Sequence, residues 1–143
     1  MQELIARGIC IQDGKILLAY FKTEEYYFLP GGHVEIGESV EAALEREVQE
    51  ELGLETTSEG VLSVFEHSWT KKDTLIHEIN FLIRFSLPKD VVLNSQIEHL
   101  DFKWISLDEF SSIRFLPEEL RVAVTKLLSS EPIPAFDSSI KKT

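Results

Sequence analysis

The first third of the chain alternates between apolar segments and turn-forming residues, a pattern typical of short antiparallel strands. Residues 4–11 are apolar and rich in strand formers, and the Asp-Gly pair at 13–14 is a strong signal for a two-residue hairpin. Residues 15–22 predict the returning strand, and the aromatic segment 26–29 predicts a short third strand. The Pro-Gly-Gly sequence at 30–32 predicts a turn that ends it.

An amphipathic helix is predicted directly after this turn. Leu44, Val48 and Leu52 recur at four-residue spacing and therefore share one apolar helical face. Ser39 is the predicted N-cap, and Gly53 is the predicted C-terminal stop. The helix is expected to pack this face on the core and to present an acidic face elsewhere.

The second half of the chain predicts three more strands and a last helix. Two long strands are expected at 61–69 and 75–87, and a shorter one at 100–105. A helix is expected at 117–128, because it opens with Pro followed by two Glu. Residues 131–143 contain Pro, Ser and Lys and predict a mobile tail.

Length and composition narrow the class of protein. A chain of 143 residues is long enough for one domain with a real core, expected over residues 1–130. The sequence contains no run of 18 apolar residues, so no membrane span is predicted. The N-terminus lacks signal-peptide features. Cys10 is the single cysteine and is expected in the core, which suits a cytoplasmic protein. The net charge of −11, without a basic stripe, argues against a nucleic-acid polymer as partner.

Part of this negative charge lies on one face of the predicted first helix. Glu47, Glu50 and Glu51 fall within an arc of roughly 100°, given about 100° per helical residue. Like charges at this spacing destabilise a helix. Either this face is merely solvated, or it binds a hard divalent cation such as Mg²⁺ or Mn²⁺, which takes carboxylate oxygens as ligands.

The same segment matches a family motif position by position. It reads GHVEIGESVEAALEREVQEELGL and resembles the Nudix box: Gly, five residues, Glu, seven residues, then Arg-Glu-aliphatic-any-Glu-Glu-any-Gly-aliphatic. The matching positions are Gly32, Glu38, Arg46, Glu47, Val48, Glu50, Glu51, Gly53 and Leu54. The resemblance implies an α/β (α+β) fold, with a mixed central sheet sandwiched between helices and the box as a loop–helix–loop.

The resemblance also implies roles for the box residues. Metal ligands would be the Gly32 carbonyl and the carboxylates of Glu47, Glu50 and Glu51. A divalent ion would withdraw charge from a diphosphate and orient the attacking water. In the catalytic machinery Arg46 would hold a box carboxylate by a charge-assisted bond, and Glu38 would be a supporting residue.

The general base stays open at the level of sequence. It is either a box glutamate, with Glu47 and Glu50 as candidates, or an acidic residue on a distant loop. Glu98 is the candidate on such a loop, because it precedes the strand that contains Trp104. The alternative for Glu98 is an ordinary surface glutamate.

Three residues near the N-terminus are candidates for substrate binding. Arg7 alternates with apolar neighbours on a predicted strand, so it would either grip a phosphate or form a strand-edge salt bridge. Tyr27 and Phe28 lead into the box and would either line the substrate pocket or belong to the core. Trp69 lies near a position where some dinucleoside polyphosphate hydrolases of the family carry an aromatic residue. The ADP-ribose subclass carries Pro there, which counts against that substrate.

The expected activity is a Mg²⁺-dependent hydrolysis of the pyrophosphate bond in a nucleoside diphosphate linked to another group. Nucleoside triphosphates, nucleotide sugars and dinucleoside polyphosphates are equally compatible small-molecule substrates. The alternative is a non-catalytic Nudix-fold module that senses a nucleotide, although such modules usually lack box glutamates. No membrane partner is expected, and a homodimer is possible because dimers are common among relatives.

Overall fold

The computed structural model describes residues 1–143, which form nine strands and three α-helices. The strands are β1 (Gln2–Ile9), β2 (Ile11–Gln12), β3 (Lys15–Phe21), β4 (Tyr26–Phe28), β5 (Gly31–His33), β6 (Thr57–Lys71), β7 (Thr74–Ser86), β8 (Leu100–Ser106) and β9 (Phe136–Ser138). The helices are α1 (Val40–Leu52), α2 (Leu107–Phe110) and α3 (Arg121–Leu128), and a 3₁₀ turn at Glu118–Leu120 precedes α3.

A five-stranded mixed sheet forms the centre of the molecule, in the order β5-β1-β7-β6-β9. β1 runs parallel to β7, with Arg7 opposite Leu82, whereas β5 and β6 pair antiparallel with their neighbours. The pairing of β5 with β1 places Gly31 opposite Arg7. The turn that leads into α1 is therefore part of the central sheet.

A second sheet is antiparallel throughout and is organised around β3. β8 pairs with β3 along its whole length, while β2 and β4 pair with the beginning and the end of β3. In β4, Phe28 lies opposite Ala19 and Tyr26 lies opposite Phe21. Because side chains alternate along a strand, Tyr26 and Phe28 point to the same side of this sheet, and Tyr27 points to the other.

Helices cover both faces of the sheets. α1 buries its apolar stripe, Leu44, Val48 and Leu52, in a cluster with β1 and β7. On the opposite side, Phe110 and Val124 of α2 and α3 pack in a second cluster with residues of β3, β6 and β7. Each fully buried side chain of this size stabilises the fold by about 1.5–3 kcal/mol. The arrangement confirms the predicted fold, a mixed central sheet between helices.

Two segments differ from the sequence prediction. Residues 30–32 were expected to form only a turn, but Gly31–His33 is strand β5. Residues 131–143 were expected to be a mobile tail, but Phe136–Ser138 pairs as β9 with the outer edge of β6. The reason is that this edge presents unpaired backbone groups to any neighbouring extended segment, whatever its hydrophobic pattern.

None of the helices combines the length and the apolar composition needed to cross a bilayer.

Candidate active site

The entry to α1 brings the backbone of β5 directly against the acidic face of the helix. Gly31 has φ +134°, and a side chain there would collide with the carbonyl oxygen of Ala6. A methyl group on Gly32 would lie 2.6 Å from Cδ and Oε1 of Glu47. At Gly31 only glycine permits this approach, because the clash is with backbone, whereas a Cβ at Gly32 would displace the Glu47 carboxylate. The Ser39 side chain accepts a hydrogen bond from the amide of Ala42 and caps the helix, as predicted.

Arg46 collects several carboxylates around one guanidinium group. It donates to both oxygens of Glu38, at 2.8 and 3.0 Å, which is the bidentate geometry that gives the strongest pairing. Its Nη1 also donates to Glu47 at 3.1 Å and to Glu50 at 3.2 Å, and its Nη2 donates to the carbonyl of His33 at 3.0 Å. The hydrogen bonds between Arg46 and Glu38 are the main reason that the pKa of Arg46 is raised and that the pKa of Glu38 is lowered.

Glu51 differs from the other box glutamates because it is buried. Its exposed fraction is 6%, and Oε1 accepts one hydrogen bond, from the amide of Gly31 at 3.1 Å. The pKa of this carboxyl is raised to about 7, first by burial and also by the nearby charges of Glu47 and Glu50, against the Gly31 bond and the charge of Arg7. A buried carboxylate beside two others is a site that would gain stability from a cation.

The donor set suits a hard divalent ion, although the carboxylates are not gathered around one point. Carboxylate and backbone carbonyl oxygens are the ligands that Mg²⁺ prefers. No three His, Cys, Asp or Glu side chains lie close enough together to share one ion. Glu47 and Glu50 are turned to Arg46 instead. Two features fit a metal. The buried Glu51 carboxylate accepts only one hydrogen bond, and the backbone at Gly31 and Gly32 comes close to the acidic face of α1.

A cavity of about 480 Å³ adjoins this acidic cluster, and Arg7 is one of its lining residues. Its floor comes from β6 and β7, and its opposite wall comes from β4 and the segment 116–120. The lining residues are Arg7, Tyr26, Phe28, Leu29, His67, Ser68, Trp69, Glu78, Asn80, Leu116, Pro117, Glu118, Glu119 and Leu120. The size and the mixture of aromatic and polar walls are typical of a small-molecule site.

Arg7 stands at the junction of the cavity and the acidic cluster. Its Nη1 donates to the carbonyl of Leu29 at 3.1 Å, and its guanidinium carbon lies 5.7 Å from the centroid of the Phe28 ring. Burial lowers the pKa of Arg7, while the charges of Glu51 and Glu78 act in the opposite direction. It forms no ion pair within 4 Å with any carboxylate, so the predicted strand-edge salt bridge is absent, and most of its N–H donors are uncommitted.

Of the remaining predicted site residues, some line the cavity and others lie outside it. Phe28 lines the cavity. Tyr27 does not, because it faces the other side of β4, where its ring packs 4.7 Å from that of Tyr20. Glu98 lies exposed on the loop before β8, and its carboxylate makes no hydrogen bond there.

Several cavity residues escaped the sequence prediction. The sequence does not mark Tyr26, Glu78 and Asn80 as site residues, and it marks Trp69 only through its distance from the box. Alternation along β7 was the one usable signal, because it places Glu78 and Asn80 on the same face. Of the two histidines on adjacent strands, His67 lines the cavity, whereas His77 pairs with Glu66 at 2.8 Å outside it.

Solved structures share this architecture over nearly the whole chain. The solution structure of the E. coli ORF135 protein is 28% identical, with a TM-score of 0.67, and the match covers 93% of this chain and 95% of that one. A NUDIX hydrolase from Nitrosomonas europaea superposes with a TM-score of 0.75 at 20% identity, over 97% of this chain and 79% of that one. At 20% identity, the second match is evidence for the fold alone.

A curated relative matches over a shorter stretch. An ADP-ribose pyrophosphatase from Methanocaldococcus jannaschii is 44% identical over 61 residues, which are 41% of this chain. The aligned part spans 36% of that protein, so the match covers only about a third of its length. A family model described as the NUDIX domain matches residues 3–127. As the box residues predict, the chain belongs to the Nudix family.

Proposed function

We propose that the chain is a divalent-metal-dependent pyrophosphohydrolase that acts on a nucleoside diphosphate linked to another group. The observation that carries the proposal is the junction at Arg7, where a cavity sized for a nucleoside meets the acidic face of α1. A substrate bound across this junction would have its organic part in the cavity and its charged diphosphate beside the carboxylates. The match to an ADP-ribose pyrophosphatase supports the reaction class.

The proposed metal ligands are the Gly32 carbonyl and the carboxylates of Glu47, Glu50 and Glu51, with Mg²⁺ as the ion and Mn²⁺ as a substitute. When bound there, the ion would neutralise charge on the diphosphate and orient a water for attack. The burial of Glu51 and its single hydrogen bond support this assignment.

The chain's other residues would then have separate tasks. Arg46, anchored by its two bonds to Glu38, would hold the box carboxylates at a fixed position. Arg7 would donate its free N–H groups to a phosphate oxygen, for which a planar guanidinium is well suited. Glu47 or Glu50 would accept the proton of the attacking water, with Glu98 as the candidate outside the box. A Glu98→Gln variant that keeps its full rate would remove Glu98 from this set.

The decisive experiment measures phosphate release from nucleotide derivatives with Mg²⁺, with Mn²⁺ and with EDTA. The panel contains triphosphates, ADP-ribose, nucleotide sugars and dinucleoside polyphosphates, coupled to inorganic pyrophosphatase or alkaline phosphatase. We expect metal-dependent release from at least one class, and a loss of at least about 10²-fold in kcat for Glu50→Gln. Glu41→Gln is the matched control, because Glu41 lies on α1 away from the cluster and is expected to keep the wild-type rate.

Two outcomes would contradict the proposal. Equal rates for Glu50→Gln and Glu41→Gln would mean that the acidic face has no catalytic role. Absence of turnover across the panel, together with tight nucleotide binding, would indicate the non-catalytic sensing module instead.

A further inference from the structure

The floor of the cavity contains a buried amide whose orientation is fixed by its neighbours. Asn80 is 2% exposed, and its Nδ2 donates to the Phe65 carbonyl at 3.4 Å and to Oε1 of Glu78 at 3.2 Å. Both partners are acceptors, so a flipped amide would set oxygen against oxygen at two places. The side chain therefore presents Oδ1, not Nδ2, on its free side.

This oxygen reaches the cavity without a partner in the protein. Asn80 Oδ1 takes part in no hydrogen bond, and no fully buried side-chain nitrogen or oxygen lacks one. Oδ1 must then lie at an accessible surface, and Asn80 is a lining residue of the cavity. Since the rest of Asn80 is buried and fixed, this accessible oxygen is a preorganised acceptor for a ligand that donates to it.

Glu78 adds a second acceptor beside it. Its Oε2 accepts from the indole Nε1 of Trp69 at 2.7 Å, and its Oε1 accepts from Asn80. Each carboxylate oxygen can accept two hydrogen bonds, so each keeps capacity for one more. No Lys or Arg pairs with Glu78. The Trp69 contact also fixes an aromatic face at the edge of the same site.

The part of the cavity lined by Glu78 and Asn80 is therefore an acceptor surface, and it is negatively charged. Glu118 and Glu119 also line the cavity, so a phosphate placed beside these carboxylates would be repelled. A ligand edge that binds here must carry N–H donors. Guanine carries two that are adjacent, a ring N–H and an exocyclic amino group. Cytosine and adenine carry one amino group next to an acceptor nitrogen, and uracil and thymine place carbonyls on both sides of one N–H.

The geometry points to Glu78 and Asn80 as the residues that select the base, with preference for a guanine-type edge in which a ring N–H adjoins an amino group. Trp69, Tyr26 and Phe28 supply aromatic faces along which such a ring stacks. The inference rests on the proposed function, because it names the substrate class of the same site. It places the base edge against Glu78 and Asn80 and a phosphate against the free N–H groups of Arg7.

The test is equilibrium binding of nucleoside monophosphates, measured by titration calorimetry, so that it does not depend on turnover. GMP and IMP differ only by the amino group, and UMP offers a single ring N–H between two carbonyls. A good bidentate pair discriminates by about 1–3 kcal/mol, so GMP is expected to bind roughly 10–100-fold more tightly than IMP or UMP. In Glu78→Gln the Nε2 amide group replaces one acceptor with a donor, and the GMP preference is expected to fall below about 3-fold.

Two variants guard this test against misfolding and against general charge effects. Glu59→Gln makes the same substitution at an exposed position of β6 outside the cavity and should keep the wild-type preference. Trp69→Phe keeps an aromatic ring but removes the N–H that orients Glu78, and it should reduce the preference in part. Thermal unfolding of each variant shows whether it is folded.

The outcomes separate this inference from the proposed function. Metal-dependent hydrolysis with equal binding of GMP, IMP and UMP would overturn the base selection and leave the hydrolase standing. GMP-selective binding that Glu78→Gln abolishes, without any hydrolysis, would support the base selection and overturn the hydrolase. An unchanged GMP preference in folded Glu78→Gln would also overturn the base selection.

Discussion

The two ends of the proposed site use charge in opposite ways. At the box end, Arg46 bonds to the carboxylates of Glu38, Glu47 and Glu50, so these charges are satisfied by one another. At the cavity end, Arg7 makes one bond to a backbone carbonyl, and Glu78 has no cationic partner. The box end is organised before any ligand arrives, whereas the cavity end keeps most N–H donors of Arg7 and part of the acceptor capacity of Glu78 free for one.

The largest expected effect follows from Arg46→Lys. A lysine keeps the positive charge but cannot bond bidentately to Glu38 while also holding Glu47 and Glu50. Small displacements of reacting groups cost about 10²-fold in rate, so we expect kcat to fall by at least this factor. Steady-state kinetics measures it. Arg84→Lys is the comparison, because Arg84 on β7 neither lines the cavity nor bonds to a box carboxylate and should leave kcat unchanged. Equal kcat values for the two variants would show that the box end does not need its preset geometry.

The box end could be predicted from sequence because it is local. Gly32, Arg46 and the glutamates lie within one turn and one helix, so helical periodicity alone places three carboxylates on a common face. The cavity end could not be predicted in the same way. It joins Arg7, Asn80 and the segment 116–120, whose proximity depends on the parallel pairing of β1 with β7 and on the return of the chain.

Tyr27 shows how a one-residue ambiguity decides a site assignment. The sequence places Tyr26, Tyr27 and Phe28 on one short strand but does not say which face is inward. The pairing of β4 with β3 decides it, and the cavity receives Tyr26 and Phe28. Likewise, no hydrophobic pattern marks residues 136–138 as a strand, because the pairing of β9 depends on the exposed edge of β6.

The second prediction concerns Glu51 in metal-free protein. Its carboxyl pKa of about 7 in the fold lies above the ordinary value of 4.5, so the folded state binds this proton more tightly than the unfolded chain. This stability is fully present below pH 4.5 and is lost as the pH rises through 7. The free energy of unfolding of Glu51→Gln should therefore exceed that of wild type by up to roughly 3 kcal/mol at pH 8 and by almost nothing at pH 4.5.

Urea unfolding in EDTA at several pH values measures this difference. Millimolar Mg²⁺ at pH 8 should stabilise the wild type and leave Glu51→Gln nearly unchanged, because a ligand stabilises only the form that binds it. If Mg²⁺ stabilised the variant as strongly as wild type, the metal would bind at a place other than Glu51. A stability difference independent of pH would show that the gain does not come from ionisation.

A smaller effect is expected for Arg7→Lys, which tests the junction between the two ends. Lysine retains the charge but loses the planar fork and the contact with the Phe28 ring. We expect kcat/KM to fall by about 10-fold, which corresponds to about 1.4 kcal/mol, mostly through KM. Arg84→Lys on β7 is the matched control outside the cavity. A loss confined to kcat, without a change in KM, would contradict phosphate binding by Arg7 in the ground state.

The smallest effect concerns the C-terminal segment, which reaches the cavity through a single side chain. Ser139 Oγ lies 2.8 Å from Nδ1 of His67, a residue that lines the cavity and is 8% exposed. Ser139→Ala leaves this buried nitrogen without its partner, so we expect a loss of about 1 kcal/mol in urea unfolding. The KM should change by less than about 3-fold, because neither Arg7 nor Glu78 bonds to Ser139. Ser112→Ala removes an exposed hydroxyl contact at the end of α2 and provides the baseline for both measurements. A large rise in KM for Ser139→Ala alone would mean that the segment after β9 helps to shape the cavity, and that the cavity end depends on even more distant parts of the chain.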